Sequence, residues 1–473
     1  MRWLGVLAPL GALVLLGCGG EEPAAPPVVA SHAPDSASEI GGRSSASEIG
    51  DRSSESEIGD RRSEVGGRSS ESASAPGLES ASASASESES ASESASESDE
   101  WPEGLGLDTP FDDPSGHALD HFHAALAAAG DEVASVAVWG ASHTACDHWT
   151  SRIRIALQER YGDGGRGFTF AAWPNERRYW QSGVEVELGE GWTRLRLGRQ
   201  RSVPDHYGVA GLVFDSEGRE ATTRIRTGER GVGEVATRFD VLFERQPDGG
   251  MLEVAMDGTV VATIDTAGRV AAGMHRVDVP EGAHEVTLRA LAGASVRVYG
   301  VDVRRGESGV VLHNLGLSGS RARYHQKWRD PVHRQQLEAM DLDLLVFAYG
   351  GNEGNDFAEP ITRFSGQFER ALRRAKQHAP EASCLVVGPA DKPLLEGEEW
   401  TPRVRTRGIA AAQRRIAHRL GCAYFDTIAF MGGEMSMLRW VAEDLARDDY
   451  VHFTARGYDR FGDVLLDGLL PPE

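Results

Sequence analysis

A serine, an aspartate and a histidine in this chain are spaced like a nucleophile and its activating pair. Ser142 stands in Gly140-Ala141-Ser142-His143, directly after an apolar run, and Asp449 and His452 lie three residues apart near the C-terminus. A hydroxyl attacks a carbonyl when a base takes its proton, and an imidazole does this best when a carboxylate orients it. One loop can deliver both groups of Asp449-Tyr450-Val451-His452 to one pocket. Two further strings also follow apolar runs: Leu317-Ser318-Gly319-Ser320 and Gly350-Gly351-Asn352-Glu353. The N–H of Gly319 can approach a ligand closely because no side chain intervenes. The amide of Asn352 can donate to an oxyanion. Taken singly, each position has a plainer reading as a helix cap, a tight turn or a surface loop. Their shared placement at the ends of apolar runs joins them.

The fold has to bring these ends together. ASVAVWG, ending at Gly140, reads as a buried strand, followed by a turn and an amphipathic helix from about Asp147 to Tyr161. Residues 114–129 read as a preceding helix. The runs GVVLHNLGLSG, LDLLVFAYGG, SCLVVGPA and CAYFDT alternate with helical stretches near 324–340, 361–378 and 403–421. Five buried strands joined by helices predict an α/β fold, with a parallel sheet between two helical layers in a flavodoxin-like sandwich. Sites in such sheets gather at the carboxyl ends of the strands.

Between 184 and 306 the period changes. Runs such as VEVEL, TRFDVLFE and HEVTLRALAG alternate apolar and polar residues, and PDGG, MDG and PEGAH separate them. This predicts an all-β sandwich or jelly roll inserted into the α/β domain. Trp180, Trp192, Tyr207 and Tyr299 offer either sugar-stacking faces or core packing.

The first hundred residues are of another kind. One arginine and the short apolar stretch Leu4–Leu16 precede LLGCGG, a pattern that suits a signal peptide. It resembles the lipobox of bacterial lipoproteins, in which Cys18 is lipidated. Residues 19–100 are rich in Ser, Glu, Ala and Gly and carry about 18 acids against 5 bases. About −13 of the formal charge of −23 therefore belongs to this stretch. With so few aliphatic residues it reads as a disordered tether. No basic stripe with interleaved aromatics is present, so nucleic acid is not an expected partner. Cys146, Cys384 and Cys422 show no metal-ligand spacing. Cys384 and Cys422 each precede a strand-like run, which leaves a disulfide or two buried thiols open.

The blocks GASH at 140–143, LSGS at 317–320, GGNE at 350–353 and DYVH at 449–452 resemble those of the SGNH (GDSL-type) hydrolases. The resemblance spans residues 134–173 and 307–473. It implies Ser142 as nucleophile, His452 as base and Asp449 as its orienting acid. It also implies an oxyanion hole from the N–H groups of Ser142 and Gly319 and the amide of Asn352, with no metal or cofactor. The inserted β-region resembles the arrangement of bacterial peptidoglycan O-acetylesterases. The expected organisation is a leader (1–18), a tether (19–100), two hydrolase segments (101–183 and 307–473) and an insert (184–306). The expected activity is removal of acyl groups, favouring O-acetyl, from peptidoglycan or another polysaccharide. The expected location is the cell envelope, with a lipid anchor in the outer membrane. An O-acetyltransferase on the same scaffold and a non-catalytic wall-binding lipoprotein are the alternatives. The usual GDS of the family is GAS here, with Ala141 in place of the aspartate.

Overall fold

The computed structural model describes residues 101–175, 179–198, 206–228 and 233–472. The leader, Cys18 and the tether lie outside the described residues. Strands β1 (Val133–Gly140), β2 (Gly309–Asn314), β3 (Leu344–Ala348), β4 (Ser383–Val387) and β5 (Ala423–Phe425) form a parallel sheet in the order β2-β1-β3-β4-β5. These are the apolar runs noted above, and parallel strands covered on both faces require such runs. Alternate residues serve different cores. Val136, Val138, Leu344 and Val346 pack with Trp149, Ile153 and Phe461. Ala137, Trp139, Leu345 and Phe347 pack with Phe364, Phe368 and Ile409. Helices α1 (His148–Tyr161) and α4 (Ala455–Leu469) therefore cover one face, and α2 (Ile361–His378) and α3 (Val404–Arg419) the other.

The chain reverses direction across the sheet between β1 and β3, so the loops after these strands diverge and leave a crevice. Ser142 follows β1 and Asn352 follows β3, which places both at that crevice.

Two antiparallel sheets lie in the sequence between β1 and β2. One contains Thr193–Arg196, Leu212–Asp215, Ala236–Arg245, Ala271–Gly282 and Arg297–Arg304. The other contains Val184–Val186, Ala221–Thr227, Met251–Met256, Thr259–Asp265 and Glu285–Ala290. Inward residues such as Ile225, Phe239, Val241, Leu252, Val254 and Leu288 join one core, which is continuous with the α2/α3 side of the parallel sheet. Trp139 Nε1 of β1 donates to the Val209 carbonyl at 3.0 Å. The first antiparallel sheet also takes Gly167–Phe170, which pairs with Arg297–Arg304 ahead of residue 184. At Gly300 a Cβ would run into the Phe168 ring and the Thr169 carbonyl, so this close pairing needs glycine.

One element differs from the sequence reading, and two alternatives it left open are resolved. The helical stretch near 324–340 is split into a 3₁₀ turn (Ala322–Lys327) and a helix starting at Val332, because Pro331 interrupts it. Register pairs Leu385 with Ala423, which sets Cys384 opposite Cys422, and the two form a disulfide. Trp192, Tyr207 and Tyr299 are buried, so they pack the core and do not stack sugars; Trp180 alone of the four is exposed.

Candidate active site

Ser142 opens a single helical turn, Ser142–Ala145, immediately after β1. Gly140 makes the turn possible, since a Cβ there would strike Thr144 and the Ala348 carbonyl. Asp147, at φ 57°, then breaks the path before α1 begins. That aspartate is almost fully buried and holds the turn from below. Its carboxylate accepts from Thr150 Oγ1 (2.6 Å), Asn314 Nδ2 (2.8 Å), the Ser182 N–H (2.9 Å) and Arg166 Nη2 (3.1 Å). Asn314, at the end of β2, also donates to the Thr144 carbonyl at 2.8 Å. This network supports the serine turn in a chain that has Ala141 before the serine.

Asp449 and His452 sit on the loop before α4. Phe453 anchors the loop, fully buried against Trp440 with ring centroids 4.6 Å apart. The Arg447 N–H donates to the His452 carbonyl at 2.8 Å, and Thr454 caps α4. Tyr450, between the acid and the base, has φ 54° and packs on Trp400 with centroids 4.4 Å apart. Asp449 Oδ1 accepts the N–H groups of Val451 and His452, both at 2.9 Å, and Oδ2 lies 2.7 Å from His452 Nδ1. Burial raises the Asp449 pKa, but the His452 N–H, the imidazole and the Val451 N–H outweigh this and hold it below the usual carboxylate value. His452 Nε2 lies 2.7 Å from Ser142 Oγ. Ser142, His452 and Asp449 thus form one hydrogen-bonded line.

Gly319 lies in the turn after β2 with φ 74°, a conformation that favours glycine. Asn352 lines the Ser142 cavity and donates one amide hydrogen to the Ser320 carbonyl at 2.9 Å. The loops of Gly319 and Asn352 are tied by Glu353, whose Oε1 accepts the Ala322 N–H (2.9 Å) and Oε2 the Gly350 N–H (3.2 Å). Burial raises the Glu353 pKa against these bonds. Arg196 of the antiparallel sheet donates to the carbonyls of Leu317 and Ser318, just before Gly319.

The cavity at Ser142 has a volume of about 60 Å³, and Ala141, Ala348, Val387, Ala390, Val451 and Phe453 supply apolar wall. His143 also lines it, with its ring 5.1 Å from that of His452. Burial, followed by the neighbouring His452, lowers the His143 pKa to about 3, so it stays neutral beside the imidazole. Its Nδ1 lies 3.0 Å from the Tyr458 hydroxyl.

All five candidate residues are therefore found at the carboxyl end of the sheet, with Ser142, His452 and Asp449 in direct contact. Asp147, Asn314 and Glu353 gave no separate signal in the sequence, since a buried acid or amide reads there like any surface polar residue. Glu353 adjoins the GGN string, and that adjacency is the one cue to its role.

Residues 287–460 match the model of the GDSL-like lipase/acylhydrolase family. The match includes Gly319, Asn352, Asp449 and His452, while Ser142 precedes it. No curated protein matches the sequence. Among solved structures, one described as a peptidoglycan O-acetylesterase in action is 23% identical with a TM-score of 0.62, covering 74% of this chain and 94% of that one. Salicylyl-acyltransferase SsfX3, from a tetracycline biosynthetic pathway, is 14% identical, with 60% and 93% coverage and a TM-score of 0.27. An active-site mutant of a family two carbohydrate esterase from Clostridium thermocellum is 11% identical, with 58% and 97% coverage and a TM-score of 0.24.

Proposed function

We propose that this chain, which matches the GDSL-like lipase/acylhydrolase model over residues 287–460, is an esterase that removes short acyl groups, O-acetyl foremost, from an envelope polysaccharide such as peptidoglycan. The contact between His452 Nε2 and Ser142 Oγ carries this reading. His452 takes the serine proton as Ser142 attacks the ester carbonyl, and Asp449 holds the imidazole in the tautomer that accepts it. The oxyanion is met by the N–H groups of Ser142 and Gly319 and by the amide of Asn352. The first position of a helix leaves its N–H without an intrahelical partner, which suits Ser142 to this task. Losing one such donor costs about 10²–10³ in rate. The sugar hydroxyl departs with the proton from His452. Water, deprotonated by the same imidazole, then releases the acid from Ser142.

A cavity of about 60 Å³ with apolar walls supports a short acyl group. We place the protein in the cell envelope as a lipoprotein anchored through Cys18, with residues 19–100 as its tether and residues 184–306 as an insert beside the catalytic part. Among the described residues no helix is long and apolar enough to cross a membrane.

The test is acetate release from O-acetylated glycan by the full chain and its Ser142→Ala variant, with fluorophosphonate labelling alongside. Acetate release and labelling that both depend on Ser142 support the reading. Acetyl transfer to added oligosaccharide without free acetate makes the chain a transferase. Labelling unchanged in Ser142→Ala leaves a binding protein.

A further inference from the structure

The Ser142 cavity has one cationic wall. Lys392 lines it, and among the described residues its Nζ has one hydrogen bond, to Asn355 Oδ1 at 3.3 Å. Arg403 Nη1 donates to the same oxygen at 3.0 Å. The rest of the Arg403 head reaches the backbone carbonyls of Lys392, Gly354 and Pro393, and its guanidinium lies 5.2 Å from the Phe357 ring centre. Among the described residues neither cation forms an ion pair. Nearby, Arg321, Arg405 and Arg407 each have a carboxylate within 4 Å.

The nearby acids are otherwise engaged or stand apart. Asp449 is bound to His452. Asp391 lines the same cavity, but its Oδ2 accepts the Met437 N–H at 3.1 Å. Glu396, Glu398 and Glu399, on the hairpin between Lys392 and Arg403, are exposed and pair with neither. Burial lowers the pKa of both Lys392 and Arg403; for Lys392 the Arg403 charge adds to this and the Asp449 carboxylate partly opposes it. Two part-buried cations sharing one neutral oxygen are costly unless an anion joins them. In a chain of formal charge −23 a carboxylate partner would be easy to supply. Lys392 and Ser142 line the same cavity, so a substrate held there can supply the anion.

We propose that Lys392, backed by Arg403, binds a carboxylate carried by the substrate, so that the natural substrate is an acidic glycan with its acid on the esterified sugar or the sugar next to it. This rests on the esterase reading above. Two chemical sources fit: a uronic acid ring, or a lactyl or peptidyl carboxylate borne by an amino sugar. A charge-assisted hydrogen bond to a carboxylate contributes about 1.5–3 kcal/mol, or roughly ten- to a hundredfold in affinity.

The test uses the full chain carrying Ser142→Ala, which binds without turnover. Its affinity is measured for an O-acetylated oligogalacturonate and for an O-acetylated muramyl disaccharide, each against its carboxyl-amidated form. A preference of roughly tenfold or more for the acid form is expected in one arm, and that arm names the source. The preference should vanish with Lys392→Met, persist with Lys392→Arg and weaken as salt rises. Equal affinity for acid and amide forms in both arms, or equal weakening of both by Lys392→Met, overturns the proposal. Acetate release by the Ser142 enzyme is read separately. Its absence with the preference intact overturns the esterase reading alone, and loss of the preference with acetate release intact overturns the anion site alone.

Discussion

His452 Nε2 stands 2.7 Å from Ser142 Oγ although 310 residues separate them. Burial of Phe453, the cap at Thr454 and the turn at Arg447 bring the imidazole there, so the tail loop is held by packing on both sides of the base. The acid in this line is the simplest member to test. In Asp449→Asn the remaining carbonyl oxygen still accepts the N–H groups of Val451 and His452, so the loop keeps its shape. The new NH₂ then faces His452 Nδ1 and favours the wrong tautomer. The expected result is a fall in kcat of roughly 10²–10⁴ with an unchanged melting temperature. A fall of less than about threefold would remove Asp449 from the mechanism.

Glu353 joins the two loops that carry Gly319 and Asn352, the residues proposed as oxyanion donors. A carboxylate accepts both backbone N–H groups, whereas a glutamine in the same place accepts one and leaves the other facing an NH₂. Glu353→Gln is expected to lower kcat about tenfold with little change in KM, because the donors matter most as charge develops on the carbonyl oxygen. Glu353→Ala leaves both buried N–H groups unpaired and should add a stability loss of about 1–3 kcal/mol. Steady-state kinetics with a denaturant midpoint for each variant checks this. A rise in KM with kcat unchanged would contradict the oxyanion role.

Some parts of this architecture were legible from the sequence, and the reasons are physical. The strands around Val136, Leu312, Val346, Leu385 and Tyr424 are buried on both faces, so their apolar runs leave few other folds open. The three blocks at strand ends and the fourth on the last loop were visible because turns tolerate only certain residues. Pairing between distant elements was not visible. Gly167–Phe170 looks like a loop until Val303 and Gly300 lie beside it. Asp147 and Glu353 are acids whose burial depends on Arg166, Asn314 and Ala322 arriving from elsewhere. The wide aromatic faces of Trp192, Tyr207 and Tyr299 serve sugar or core equally well, and the fold decides for the core.

The disulfide between Cys384 and Cys422 closes a 38-residue separation. Constraining the unfolded chain over such a loop stabilises the fold by about 4 kcal/mol on the chain-entropy account. The bond lies deep between β4 and β5, and both cysteines are buried. The expectation is that millimolar dithiothreitol leaves the native protein oxidised but reduces the bond once the chain is unfolded in denaturant. Cys384→Ala/Cys422→Ala should lower the denaturant midpoint while retaining activity under mild conditions. Thiol counting on the native and unfolded chain, with midpoints for both forms, tests it. An identical midpoint for the double variant would show that the bond adds nothing.

Buried imidazoles set how the fold responds to acid, among them His333, whose pKa burial holds well below the ordinary value. Burial lowers the pKa of His143 to about 3, of His313 to about 4 and of His325 to about 3. The geometry agrees, since His313 Nδ1 accepts the Phe168 N–H at 3.0 Å and could take a proton only by losing that bond. In the unfolded chain these groups titrate near 6.5. Between that value and their folded values the unfolded state binds more protons, so stability is greatest above about pH 6.5 and declines as pH falls toward 4. Each such histidine contributes a slope of up to about 1.4 kcal/mol per pH unit in that window. His325 lies 3.0 Å from the Tyr349 hydroxyl, which a glutamine can also reach. His325→Gln should therefore flatten the decline by about one proton while the stability above pH 7 changes less. Denaturant midpoints at pH 7.5, 6 and 4.5 for both proteins read this directly. Parallel curves would mean that His325 is already charged in the folded state, against its complete burial.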